Sequence, residues 1–253
     1  DVNNNVIVLS DITILKRAIK LKRKGKIHKL FAGPNIAVLP SDYSKFMIAK
    51  EIDRIIVHSE WVRDAFERDT PELHNKCIIW TAGVNPNHYK PLQTDKKNNL
   101  VLIFQKFIDE DALKPYESII QERGYRTVVI KYGNYCSDDY LKSLQSCKAA
   151  VFITNTTETQ GIALAEAWSV DVPTFVLEVN TWSYKDYPRY PGSSSPYLSS
   201  ETGIFFSNKE DFKIKFDLFI DGKIRFSPRK WVLNNMTDSI CAERLRNKIL
   251  DYE

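Results

Sequence analysis

No stretch of this chain approaches the roughly 18 unbroken apolar residues of a transmembrane helix, although 43% of its 253 residues are hydrophobic. The opening DVNNNVIVLSD has no basic segment followed by an apolar one and a small-residue cleavage site. We therefore expect no signal peptide and a cytoplasmic chain. The sequons at Asn155 and Asn235 carry little weight in that setting. Cysteine is scarce: Cys77, Cys136, Cys147 and Cys241 form no CxxC pair, so reduced structural thiols are the expectation. Histidine is equally sparse, and His28, His58, His74 and His88 form no HxxxH or HxxE pattern. That argues against a zinc site, and no metal or other cofactor is expected.

Acid is missing altogether from one stretch. Between Lys16 and Lys29 the run ILKRAIKLKRKGKIHK holds eight Lys or Arg and no Asp or Glu. It skews the chain: residues 1–97 carry 17 Lys and Arg against 11 Asp and Glu, and the remainder carries 19 against 21. Three readings stand. The run is a solvated helix face, a patch for anionic lipid headgroups or an anionic acceptor, or a nucleic-acid contact. The last is the weakest, because no aromatics are interleaved.

What is present is alternation. VIVLSD reads as a strand and TILKRAIKLKRKGK as a helix. KLFAGPNIAVL is strand-like with a turn at Gly33-Pro34, SKFMIAKEI has helical spacing, and RIIVHS is a buried strand. EWVRDAFER follows as a helix with Ser59 as its N-cap, and CIIWTAG closes the series. The segment GVNPNHYKPLQTDKKNN, with two prolines and a polar run, reads as an interdomain linker. A second series then runs NLVLIFQKF (strand), ALKPYESIIQERG (helix), RTVVIKYG (strand), SDDYLKSLQSC (helix capped by Ser137), AVFIT (strand), QGIALAEAWSV (helix) and PTFVLEV (strand). GIFFS is a further strand and RKWVLNNMTDSICAERLRNKIL a long closing helix. This order predicts an α/β protein of two doubly wound, Rossmann-like parallel-sheet domains facing across a cleft. Ligands in such sheets bind outside the carboxyl ends of the strands.

The chemistry is sought after AVFIT, in TNTTETQGIALAEAWSVDVPTFV. Gly161 stands at the helix N-terminus, where backbone can approach a phosphate and the helix dipole favours an anion. Glu158 at the mouth of the loop and Glu166 in the second turn are natural acceptors for sugar or ribose hydroxyls.

This segment resembles the donor-site signature of retaining GT-B glycosyltransferases (group 1, family 4-like), which read E-x-F/Q-G-hydrophobic-x-x-x-E-A followed by P-V/T. Here the matching residues are Glu158, Gln160, Gly161, Ile162, Glu166, Ala167, Pro173 and Thr174. GVNPNHYKP is similar to the family's interdomain stretch, and RIIVHSEWVRDAF to the end of its N-terminal domain. The resemblance covers residues 50 to 250. It implies a transfer of a hexose or related sugar from a UDP- or GDP-sugar to a glycan, lipid-linked or small-molecule hydroxyl, with retention and without a metal. It implies that Glu158 contacts the transferred sugar, that Gly161 and Ile162 offer amides to the diphosphate, with Thr159 and Gln160 beside them, and that Glu166 binds the ribose. Lys106 and Lys114 fit the cations that neutralise the leaving diphosphate. The loop Tyr132-Gly133-Asn134-Tyr135 occupies the place where the family holds the base. His58 is the better placed of two candidates for a catalytic-cleft histidine, His28 being the other, and Asn35 is a further cleft candidate.

The implied domains are a truncated acceptor-side domain over 1–90, a nucleotide-sugar domain over 91–228 and a closing helix over 229–253. The chain departs from the family pattern in several places. Asp171 stands where a glycine is usual, the Lys106–Lys114 spacing is long, one strand–helix unit of the second domain is missing, and the glycine-rich loop of the first domain is absent. The Tyr-, Pro- and Ser-rich residues 181–200 read as a lid or aromatic platform. Rival readings are an epimerase or phosphorylase on the same architecture, or a non-catalytic module that binds anionic membrane or nucleic acid through 16–29.

Overall fold

The computed structural model describes residues 4–92, 99–186 and 188–250; residues 93–98 of the expected linker lie outside the described residues. The chain packs as two units. One runs to Thr81 and takes back the chain from Arg244 onward, and the other is Ala82–Glu243.

The first unit is built on β1 (Asn5–Ser10), β2 (Lys29–Asn35), β3 (Arg54–Val57) and β4 (Cys77–Ile79), side by side in chain order and all parallel. The connections are α1 (Ile12–Arg23), the single turn α2 (Ser44–Met47) and α3 (Glu60–Asp69). Asp11 starts α1 by accepting a hydrogen bond from the Thr13 amide at 2.6 Å, and Lys20, Lys22 and Arg23 sit in its last turn, where the helix dipole favours cations. Leu30, Phe31 and Ala32 of β2 are fully buried. Gly33 follows because a Cβ there would run into the Ile56 carbonyl of the neighbouring strand.

The helical spacing of SKFMIAKEI yields only α2. Its one acid and the next after it are drawn away from a helix: Glu51 accepts from Arg23 Nε at 2.8 Å, while Asp53 pairs with Lys22 and accepts from the Leu30 amide at 2.6 Å. Ser59 is the α3 N-cap residue, but its hydroxyl makes no cap hydrogen bond.

The second unit holds the five-stranded sheet β11-β8-β7-β5-β6, all parallel, formed by β5 (Leu100–Lys106), β6 (Arg126–Lys131), β7 (Ala149–Thr154), β8 (Thr174–Leu177) and β11 (Gly203–Phe206). Helices α4 (Lys114–Gln121), α5 (Ser137–Ser146), α6 (Ile162–Ser169), α7 (Lys209–Ile220), α8 (Pro228–Asn235) and α9 (Asp238–Leu250) complete it, α9 ending in the first unit. Alternation along β5 feeds two cores. Leu102 and Phe104 join Phe152, Tyr140 and Trp168 on one face; Val101 and Ile103 join Phe175, Phe206, Phe212 and Phe216 on the other.

Three local expectations change. The α5 N-cap is Cys136, with Ser137 the first helical residue. The long closing helix is two helices: the Val84 amide takes the Met236 carbonyl at 3.0 Å, and Thr237 Oγ1 accepts from the Ile240 amide at 3.3 Å, restarting the helix as α9. Residues 181–200 carry a short antiparallel hairpin, β9 (Thr181–Trp182) with β10 (Tyr190–Pro191). Among the described residues no helix is long and apolar enough to cross a membrane.

Candidate functional site

The carboxyl ends of β5, β6 and β7 bring the first set of side chains together. β5 and β7 end in register, Lys106 opposite Thr154. Beyond β7 the Thr154 hydroxyl accepts from the Thr156 amide at 3.1 Å, turning the chain, and the Glu158 amide donates to the Ser193 carbonyl at 2.8 Å. The Glu158 carboxylate so held lies 2.6 Å from the Lys106 ammonium, with both side chains largely buried. The same ammonium sits 4.4 Å from the Tyr132 ring centroid, beside the exposed Phe107, whose ring meets Tyr132 edge-on at 5.5 Å.

The second feature is the start of α6. Gly161 adopts φ 82° and ψ 60°, a left-handed conformation that glycine enters without strain, and a Cβ there would stand 2.9 Å from Leu164 Cδ1. The first turn has no acidic side chain and no side-chain cap, so the amides of Gly161, Ile162 and Ala163 have no protein acceptor among the described residues. Such a terminus suits an anion. Ile162 is half exposed and Thr159 exposed. Gln160 is different: it is buried, and its amide group donates to the Ala82 carbonyl at 2.8 Å and accepts from the Ala82 amide at 3.0 Å. Its side chain ties the loop to the start of this unit.

Glu166 is the third feature. Burial pushes its carboxyl above the ordinary value, against the opposing pull of a hydrogen bond from Tyr89 and the nearby His88. Tyr89 is itself pushed up to about 12, chiefly by burial, and its hydroxyl also meets Ser137 Oγ at 2.7 Å. Tyr135 is raised by burial and then by Glu166. Tyr140, fully buried, donates to the Ala163 carbonyl at 2.8 Å and fixes the first turn of α6 from below. A half-buried carboxylate among tyrosines, one turn into a helix with open amides, can accept two hydroxyls of a sugar ring while phosphates sit at the helix start. Tyr89 and His88 were not singled out as site residues by sequence, whereas Tyr135 closes the stretch set in the place of the base loop. The signal lay in the His-Tyr pair inside the stretch read as a linker.

The remaining candidates fall elsewhere. Lys114 opens α4, is largely exposed and pairs with Asp111 at 2.6 Å. Gly133 (φ 79°) and Asn134 form an exposed tight turn after β6, the Asn134 amide donating to the Lys131 carbonyl at 3.0 Å. His58 belongs to the first unit, where its Nε2 lies 3.2 Å from Asn35 Oδ1 at the carboxyl ends of β3 and β2. Asp171, in the place of the usual glycine, does take the left-handed conformation at φ 60°. Among the described residues no group of three or more His, Cys, Asp or Glu could hold a metal ion.

No protein-family model matches the chain, and no curated protein matches it significantly. Solved structures do. The lipopolysaccharide outer core galactosyltransferase WaaB, in its apo form, superposes with a TM-score of 0.62 at 14% identity, over 99% of this chain and 76% of that one. Anabaena Alr3699/HepE in complex with UDP gives 0.67 at 10% identity over 94% and 76%, and a glycosyltransferase from Rickettsia africae gives 0.62 at 11% over 95% and 80%. The chain thus has the fold of the GT-B glycosyltransferases.

Proposed function

We propose that the chain is a glycosyltransferase that moves a hexose or related sugar from a UDP- or GDP-sugar to a hydroxyl of a glycan, lipid-linked or small-molecule acceptor, with retention and without a metal. The expected setting is the cytoplasm. The observation that carries this reading is the juxtaposition of the Lys106–Glu158 pair at the carboxyl ends of β5 and β7. Support comes also from HepE, which has the same fold and was solved with UDP and with UDP-glucose.

Transfer breaks the bond between the anomeric carbon and the diphosphate oxygen and forms one to the acceptor oxygen. Negative charge develops on the departing diphosphate. In this reading Lys106 and the open amides of Gly161, Ile162 and Ala163 take it, which lowers the barrier without a metal. Glu158, held through its own amide, orients the sugar hydroxyls, and Glu166 accepts the ribose.

The test is turnover and binding in Lys106→Ala. Loss of one cation aimed at the developing charge is expected to lower kcat by about 100-fold to 1000-fold, with melting temperature close to wild type. A variant with unchanged kcat on any donor the wild type uses removes Lys106 from the site.

A further inference from the structure

The basic run of the sequence forms α1, and the structure sorts its charges into two sets. Lys22 and Arg23 are used inside the fold, on Asp53 and Glu51. Arg17, Lys20, Lys24 and Lys26 are exposed, with no carboxylate in ion-pair reach among the described residues. At about 100° per residue, Arg17, Lys20 and Lys24 fall on the side of α1 opposite the buried Leu15, Ala18 and Ile19. A row of like charges on neighbouring turns repels itself.

Aliphatic side chains accompany the row. Ile14, on its flank in the first turn, is 54% exposed, and Leu9 at the end of β1 is 50% exposed. Lys16 sits with its ammonium 4.5 Å from the Phe46 ring centroid, so an aromatic lies against the same end of the helix. A nucleic acid would neutralise the cations and leave Ile14 and Leu9 in water. A bilayer with anionic headgroups satisfies both, because phosphates meet the cations while the aliphatics enter the boundary beneath them.

We propose that the outer face of α1 is a docking surface for an anionic lipid bilayer, with Arg17, Lys20 and Lys24 along the headgroups and Ile14 and Leu9 entering the interface. This inference is independent of the donor site, which lies wholly in the other unit.

The test is sedimentation of the whole chain with vesicles of phosphatidylcholine containing 30% phosphatidylglycerol, against phosphatidylcholine alone. Each cation near such a surface is worth about 1 kcal/mol, or roughly fivefold in partitioning. Arg17→Glu/Lys20→Glu/Lys24→Glu is therefore expected to weaken binding to the anionic vesicles by on the order of 100-fold. Binding should also collapse at high salt. Lys142→Glu/Lys213→Glu/Lys230→Glu changes net charge equally on exposed positions of the second unit and is expected to bind nearly as wild type. Ile14→Ser should weaken vesicle binding several-fold without moving the melting temperature, and should leave any binding to a short DNA duplex untouched. Equal weakening by the two triple variants reduces the effect to net charge and overturns the proposal. So does vesicle binding that ignores Ile14→Ser, a duplex bound more tightly than the vesicles, or no binding to anionic vesicles at all.

Discussion

At the scale of single residues, Glu166 sets stability against its proposed function. Its carboxyl is held above the ordinary value by burial, so the folded protein binds that proton more tightly than the unfolded chain does. Stability contributed by the neutral form is present at low pH and is lost as pH rises through the raised value. Glu166→Gln keeps the shape and the acceptor for Tyr89 but carries no charge to desolvate. It is therefore expected to melt higher than wild type at pH 7, with the difference vanishing toward pH 4. Nucleotide affinity should move the other way. A ribose hydroxyl bonded to a carboxylate contributes about 1.5–3 kcal/mol, so binding should weaken roughly 10-fold to 100-fold in a titration calorimeter. The wild-type affinity should also fall as pH drops through the raised Glu166 value, over and above the decline in the variant. If both proteins bind nucleotide equally at pH 7, the ribose role is wrong, whatever the melting curves show.

At the scale of elements, the loop from Glu158 to Gly161 is held on both sides by main chain. The Glu158 amide reaches Ser193 beyond the hairpin of β9 and β10, and the Gln160 side chain grips both polar atoms of Ala82. Gln160→Ala removes both hydrogen bonds from this side chain to the Ala82 main chain, each worth about 0.5–1.5 kcal/mol net. We expect it to unfold at lower denaturant concentration than wild type and to lose donor affinity by loosening the loop. Unchanged affinity in the folded variant would show that the loop keeps its place without this anchor.

The same element shows what sequence could and could not convey. Gly161 and Glu166 were legible because helix geometry places them at the cap and in the second turn, and Asp171 proved to be where a left-handed residue belongs. Three other features were not legible. Helix α7 escaped notice because KEDFKIKFDLFI alternates like a strand, although Asn208 caps it and its Phe212 and Phe216 pack onto Phe175. The Tyr89 contact to Glu166 spans 77 residues, a separation that no local pattern encodes. The bonds from the Gln160 side chain to the main chain of Ala82 likewise join residues 78 apart in sequence.

At the scale of the whole molecule, the two packing units carry different parts of the proposed chemistry. Lys106, Glu158, the start of α6 and Glu166 all belong to Ala82–Glu243. A nucleoside diphosphate bound by these residues stabilises that unit when it is folded, by about 2.7 kcal/mol at a concentration 100 times its dissociation constant. For a unit of this size, each kcal/mol moves a melting transition by roughly 2–4 °C. Differential scanning calorimetry with UDP or GDP is thus expected to raise the transition of the second unit by about 5–10 °C. EDTA should leave that shift unchanged under the proposed reading, in which Lys106 and helix amides meet the charge without a metal. If EDTA abolishes the shift, a metal belongs in the binding step. If neither nucleotide nor its sugar conjugates moves any transition, the donor reading falls while the fold stands, because the parallel sheets and their packing do not depend on it.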